Sequence, residues 1–301
     1  MDKRMLSGHA AALGCELVWG TTFTVTKILQ DNLAPIEILF LRFVVGYLTL
    51  FLLSPRPMKL GGKKRELLYA MAGLTGVVIY FLLENYAVHF TLASNVGVIV
   101  SVCPFFTALC AWAVGWNEEK PGKSFFVGFL AAMAGIVLIN WNGLAVGGGS
   151  LLGDGMTIAA AFMWALYSLF SRKITDLGES VVQSTRHIFL YGLIWMLPCL
   201  PLFGFSPSAA ALTDPGVIGG LLFLGVGASG ICFVLWNFAT ARIGAVQTAA
   251  YIYLAPVISV VTSALFLEEK VTLLAVSGTV LTLIGLILSE GRFPKAKKHE
   301  N

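Results

Sequence analysis

The chain has 301 residues, 57% of them hydrophobic and only 12% charged, with a formal net charge of +4. A soluble domain carries about a quarter charged residues, so a water-exposed globule of this size is excluded. Nor does the net charge point to nucleic acid, because the basic residues sort by connecting segment rather than gathering in one patch.

Stretches of about 20 apolar residues, each able to cross roughly 30 Å of hydrocarbon as a helix, recur from end to end. Ten are expected, at about 8–29, 35–54, 66–88, 92–115, 123–140, 153–171, 180–203, 216–240, 244–267 and 271–289. The fold class is therefore an all-α polytopic membrane protein with ten transmembrane helices.

In the first span Ala12, Glu16, Trp19, Gly20, Phe23 and Lys27 share one stripe at helical spacing. An ionisable group such as Glu16, nearly halfway through, is costly in lipid unless it meets a partner or water. It is either a binding or coupling group or half of a structural pair. The second span carries Arg42. In the third, Tyr80 and Glu84 share one face while Asn85 and His89 share another. Glu84 reads as functional, and His89, near the mouth, reads more simply as an interfacial histidine.

Pro104 in the fourth span and Pro256 in the ninth each remove a backbone donor, so a kink is expected at both. The fifth span carries a small-residue stripe, Gly128, Ala132 and Gly135, and the tenth carries Gly278, Thr282 and Gly285. Such stripes allow close helix contact, as scaffold or as a homodimer surface.

Trp164 and Ser168 lie one turn apart in the sixth span, as do Gln247 and Tyr251 in the ninth. Arg186 in the seventh is accompanied by Gln183 and His187. With Arg42 it reads as a gate or ion pair or as a partner for carbonyls at a helix end, ahead of a third reading in which the arginines hold an anionic substrate group. The eighth span places Ser229, Phe233, Trp236, Asn237 and Thr240 on one broad face. Trp19, Trp164, Phe233 and Tyr251 are candidates for an aromatic box, with Glu16 and Asn237 as its polar members.

Loop charges orient the chain. With the N-terminus inside, sixteen Lys and Arg fall in cytoplasmic segments, against only Lys27 and Lys270 outside. Both termini are expected in the cytoplasm of a plasma membrane, with the basic tail 291–301 on anionic headgroups. Cys15, Cys103, Cys110, Cys199 and Cys232 all fall within spans, as small apolar fillers.

The chain also repeats itself. At an offset of about 145 to 152 residues, Trp19 falls on Trp164, Arg42 on Arg186, "NYA" from Asn85 on "NFA" from Asn237, and Pro104 on Pro256. "EEK" from Glu118 falls on "EEK" from Glu268. Each unit, 8–140 and 153–290, holds five spans. An odd number makes the second unit enter the membrane from the opposite side, the inverted plan of many secondary transporters.

"VWGTTFTVTK" near the start, Arg42, "NYAVHFTLASNVGVIVSVCPFFTALCAWAVGWNEEK" and its counterpart "NFATARIGAVQTAAYIYLAPVISVVTSALFLEEKVT" carry a specific resemblance. Over nearly its whole length the chain resembles EamA-type members of the drug/metabolite transporter superfamily. The resemblance implies ten helices in two inverted five-helix halves, alternating access, and a central cavity lined by several non-terminal helices of each half.

Competing classes lack their parts. "NEEKPGKS" has Asn117 where a phosphate loop needs its first Gly, and no soluble α/β domain surrounds it. "GASG" offers Ser229 as a nucleophile without a base placed beside it. Asp2, Asp31, Asp154, Asp176 and Asp214 all fall at span ends or in loops, unlike an aspartyl protease. The expectation is a transporter rather than an enzyme, with no cofactor and no metal, carrying small organic metabolites. Amino acids and amines lead, cationic drugs follow, and protons are a candidate coupling partner. The substrate or coupling candidates are Glu16, Trp19, Glu84, Asn85, Trp164, Asn237 and Tyr251. The gate or ion-pair candidates are Arg42, His89, Arg186 and His187. The competing reading is a non-transporting receptor or scaffold on a degenerate transporter fold.

Overall fold

The computed structural model describes residues 3–56, 61–115, 123–145 and 147–290. The tail 291–301 and the "EEK" at Glu118 lie outside the described residues. What is described is all helix and connection, without a strand. The long helices are α1 (Lys3–Leu29), α2 (Pro35–Leu53), α3 (Lys63–Phe90), α4 (Ala93–Ala113) and α5 (Lys123–Ala145). They continue with α6 (Leu151–Thr175), α7 (Val181–Met196), α8 (Pro215–Ile243), α9 (Gln247–Phe266) and α10 (Leu273–Glu290).

By length and composition α2, α3, α4, α6, α8 and α9 are able to cross a membrane, and α5 and α10 hold shorter apolar cores, Phe126–Ile139 and Leu273–Gly285. Helix α7 stops earlier than the expected span 180–203 because Pro198 and Pro201 cannot extend it; only a turn at Cys199–Leu202 follows. Outward faces carry exposed Leu52, Leu130, Leu202, Leu265 and Leu273, as a lipid-facing surface requires.

Local chemistry sets the boundaries. Pro35 opens α2, and Glu37 in its first turn accepts the Ala34 N–H at 2.8 Å. Asp214 accepts the Val217 N–H at 2.9 Å before Pro215 opens α8. Gly244, at φ 85°, ends α8 in a conformation that a side chain resists.

Four helices are irregular, in matching pairs. Helices α3 and α8 widen into π-type turns at Leu74–Ile79 and Phe223–Ile231. Helices α4 and α9 tighten into 3-10 turns at Val100–Val102 and Ala250–Leu254, just ahead of Pro104 and Pro256. A proline lacks the donor for the preceding turn, so the helix changes its hydrogen-bond step there.

Packing follows a matched scheme. Helix α1 lies along α8 as α6 lies along α3; α2 meets the wide turn of α8 as α7 meets that of α3. Helix α4 crosses α9, and α5 packs on α10. The α5–α10 seam is the small-residue stripes pressed together: a Cβ on Gly285 would stand 2.3 Å from the Ala132 nitrogen, and one on Gly135 2.6 Å from the Thr282 nitrogen. The stripes are therefore used within the chain, which fits the scaffold reading of these two helices.

The two ends of the bundle differ. Where α1 begins, Ser7 meets Arg242, Arg65 pairs with Glu179, and Glu66 bonds His187 at 2.7 Å. At the opposite end Lys27 donates to the carbonyls of Val88 (2.5 Å) and Thr91 (3.3 Å), capping α3. There Glu269 accepts the Ala93 N–H at 2.9 Å and also the Ser94 hydroxyl, capping α4.

Candidate functional site

A narrow cavity of about 40 Å³ lies within the bundle. One water needs about 10–15 Å³ by this measure, so the space holds a few waters and no metabolite. Helix α1 contributes Glu16, Trp19, Thr22 and Phe23, α2 contributes Arg42, and α3 contributes Tyr80, Phe81 and Glu84. Val100 and Cys103 of α4, Trp164 of α6 and Ile252 and Ala255 of α9 complete the wall.

The helical period explains the α1 face, since Glu16, Trp19 and Phe23 recur at i, i+3 and i+7. On α3 the wide turn ends at Ile79, immediately before Tyr80, so it sets the rotation with which Tyr80 and Glu84 enter the site. The 3-10 turns of α4 and α9 deliver Val100, Cys103, Ile252 and Ala255 from opposite directions.

Five of the thirteen lining residues are aromatic. Trp19 meets Trp164 edge to face with centroids 5.3 Å apart, and Tyr80 reaches Trp164 at 4.9 Å. Phe233 and Trp236 back Trp19 at 5.6 and 4.9 Å.

The polar groups in this wall are buried and incompletely bonded. Glu16 is 2% exposed, and Glu84 and Arg42 are each 1% exposed. Oε2 of Glu16, Oε2 of Glu84, Nη1 of Arg42 and Nε1 of Trp164 have no hydrogen-bond partner within the protein. Each such buried atom costs roughly 1–3 kcal/mol, more when charged. Four around one space mark a site built for something other than stability.

Other candidates lie elsewhere. Asn85 donates to the Pro35 carbonyl at 3.2 Å and its backbone carbonyl accepts from Gln30, joining α3 to α1 and α2. Asn237 accepts from Tyr167 (3.1 Å) and Ser171 (2.7 Å) and donates to Thr185 (2.9 Å), tying α8 to α6 and α7. The asparagines therefore sit toward opposite ends of the bundle, not facing each other across a central pocket. Tyr251 is 2.9 Å from His9 Nδ1 in an open groove of about 620 Å³ with Gln247, so it does not join the aromatic cluster.

His89 is exposed. Arg186 caps the end of α2 through the carbonyls of Ser54 and Arg56, and His187 holds Glu66. Pro104 and Pro256 stand just behind Cys103 and Ala255 of the cavity wall.

A second space, about 390 Å³, opens at the end where α1 begins, lined by Arg4, Ser171, Glu179, Ser184 and Asn237 among others. Tyr167 and Asn237, hydrogen-bonded to each other, link it to the inner cavity, with Tyr167 touching Trp164 at 4.9 Å. At the opposite end stand the Lys27 and Glu269 caps.

Sequence reasoning did not single out Glu269 as an α4 cap or Asp154 as the acceptor of the Thr91 hydroxyl at 2.9 Å. For Glu269 the signal was present, as an acid in a loop beside two apolar spans. Its target lies 176 residues away in sequence.

The arrangement defines a class: an all-helical membrane protein with a narrow cavity, lined by aromatic and buried polar groups, between helices whose hydrogen-bond step changes at matched points. The sequence pattern of the EamA-like transporter family matches residues 6–141 and again 151–290, and the chain belongs to that family. It is 25% identical over 288 residues to an uncharacterized transporter of Archaeoglobus fulgidus, covering 94% of this chain and 96% of that one. It is 27% identical over 290 residues to a probable amino-acid metabolite efflux pump of Escherichia coli K12, covering 92% and 93%. A crystal structure 19% identical in sequence superposes with a TM-score of 0.66, over 94% of this chain and 98% of that one, and shares the fold.

Proposed function

We propose that this EamA-family transporter carries small organic metabolites across the plasma membrane by alternating access, binding them in the cavity of Glu16, Trp19, Glu84 and Trp164. Amino acids, amines and related compounds come first, cationic drugs next. The observation that carries the reading is the set of unpartnered buried polar atoms around one narrow space that Trp19, Phe23, Tyr80, Phe81 and Trp164 also line. The name of the Escherichia coli relative adds weight to amino-acid metabolites.

In this reading ten helices span the membrane as two inverted halves, 8–140 and 153–290. The matched wide turns of α3 and α8, the matched 3-10 turns of α4 and α9, and the matched packing scheme support it. Both termini lie in the cytoplasm, by the loop charges. The vestibule at Asn237 then faces inward and the Glu269 cap faces outward, where it serves as the outer latch in this reading. Glu16 and Glu84 are the groups through which protons would couple to flux.

Flux in proteoliposomes carrying a pH-sensitive dye tests the reading. Amino acids, polyamines, nucleosides and quaternary amines are offered with and without a pH gradient. Saturable uptake of at least one class is expected. Proton movement lost in Glu16→Gln indicates coupling, and uptake without it indicates facilitated diffusion or exchange. Silence across the panel from folded protein contradicts the transport reading and favours a receptor or scaffold.

A further inference from the structure

Two arginines are buried in the bundle, and they are used differently. Arg186 donates through both Nη atoms to the carbonyls of Ser54 and Arg56, so its fork is spent on closing a helix end. Arg42 is fixed by the other parts of its side chain. Its Nε donates to Ser229 Oγ at 3.0 Å, and Ser229 is fully buried in the wide turn of α8. Its guanidinium carbon stands 4.4 Å from the centroid of the Phe81 ring and 5.6 Å from that of Phe43.

One edge of the guanidinium is thus anchored and its position set by two rings. Nη1 has no partner, and Arg42 lines the narrow cavity. Among the described residues no carboxylate comes within ion-pair distance of Arg42, although Glu84 shares the cavity and interacts with it electrostatically. A buried arginine kept only for packing is paired, because leaving it unpaired is costly. A rigid, positioned guanidinium with an open edge matches the planar geometry of a carboxylate.

We propose that Arg42, positioned by Ser229, anchors the substrate carboxylate and makes this cavity select amino acids over the corresponding amines. The inference rests on the proposed reading of the cavity as the transport site. Glu16 and Glu84 supply acceptors for the substrate's ammonium group, and the faces of Trp19 and Trp164 supply a second source of attraction for it. A ligand with both groups satisfies both signs of buried charge. An amine without the carboxylate leaves Arg42 as it stands in the narrow cavity, desolvated on one side.

Thermal stabilisation of the detergent-purified full chain tests this, using the twenty common amino acids and the matching amino amides, which keep the amine and lose the anionic group. At least one amino acid is expected to bind, with its amide at least about tenfold weaker. Arg42→Lys should keep amide binding and lose most of that discrimination, because a lysine is a point charge without the fork. Should Arg42→Lys fail to fold, Ser229→Ala carries the test: discrimination falls severalfold while amide binding is unchanged. An amide that binds as well as its amino acid, or discrimination undiminished in both variants, overturns the anchor and leaves the cavity as the transport site. Binding of neither series by folded wild-type protein overturns both.

Discussion

Trp19 and Trp164 meet edge to face in the cavity wall, 5.3 Å between centroids and 87° between planes, yet only one of the two indoles is satisfied. Trp19 Nε1 donates to the Ala228 carbonyl at 2.8 Å, in the wide turn of α8, whereas Trp164 Nε1 has no partner. Trp19 is tied into the scaffold. Trp164 keeps a donor for whatever enters.

Substitution separates the two uses of Trp164. Trp164→Ala should destabilise by about 3–5 kcal/mol through the space it leaves, and lower flux at least tenfold. Trp164→Phe keeps an aromatic ring and removes the N–H, so it should melt near the wild type and still lose flux severalfold. Uptake normalised to folded protein checks this. Full flux in Trp164→Phe would assign the indole to packing alone.

Asn237 is the hub between the vestibule and the cavity. Asn237→Ala leaves Tyr167, Ser171 and Thr185 short of a partner, and a loss of roughly 2–4 kcal/mol is expected. It should also open the way inward. Cys103, buried in the cavity wall, reports this in a chain whose other cysteines are replaced. Labelling of Cys103 by a water-soluble maleimide should quicken in Asn237→Ala. An unchanged rate would mean that the hub ties helices without separating the two spaces.

Glu269 caps α4 from the connection between α9 and α10. Glu269→Ala should cost about 0.5–2 kcal/mol, as the loss of a helix cap does. The release should expose the start of α4. Thiol labelling of Asn95→Cys, a buried position beside the cap, should then rise relative to the same position with Glu269 intact. Equal labelling would deny the cap a role in closing that end.

The α5–α10 seam gives a stability prediction separate from transport. Gly285→Leu or Gly135→Leu forces backbone apart and should abolish the folded yield, whereas Gly155→Ala, with open space around the new Cβ, should be neutral or slightly stabilising. Size-exclusion behaviour and melting temperature of the purified variants check both.

The fold was largely legible because its signals are local. Apolar runs gave the helices, Pro104 and Pro256 gave the breaks in α4 and α9, and the stripe from Glu16 to Phe23 gave one wall of the cavity. The rest depends on how whole helices rotate against one another. Nothing near Arg42 in sequence tells that Ser229, 187 residues on, holds its Nε. Asn85 and Asn237 match in the repeat, yet each bonds a different set of helices, α1 and α2 for Asn85 and α6 and α7 for Asn237, which the repeat alone does not tell. Tyr251 fell on the expected face of its span, but the 3-10 turn at Ala250–Leu254 changes the helical rotation there. The α5 and α10 stripes were read correctly as close-contact surfaces, while their partner, each other, could not be chosen from period alone.

The central claim is that substrate binds in the cavity shared by Glu16 and Trp164. Initial rates of uptake into proteoliposomes should be compared for wild type and the Glu16→Gln, Trp164→Ala double variant, each verified as folded and equally incorporated. Saturable flux is expected in the wild type, and its loss in the double variant. Undiminished flux in the double variant would contradict the account and move the binding site elsewhere in the bundle.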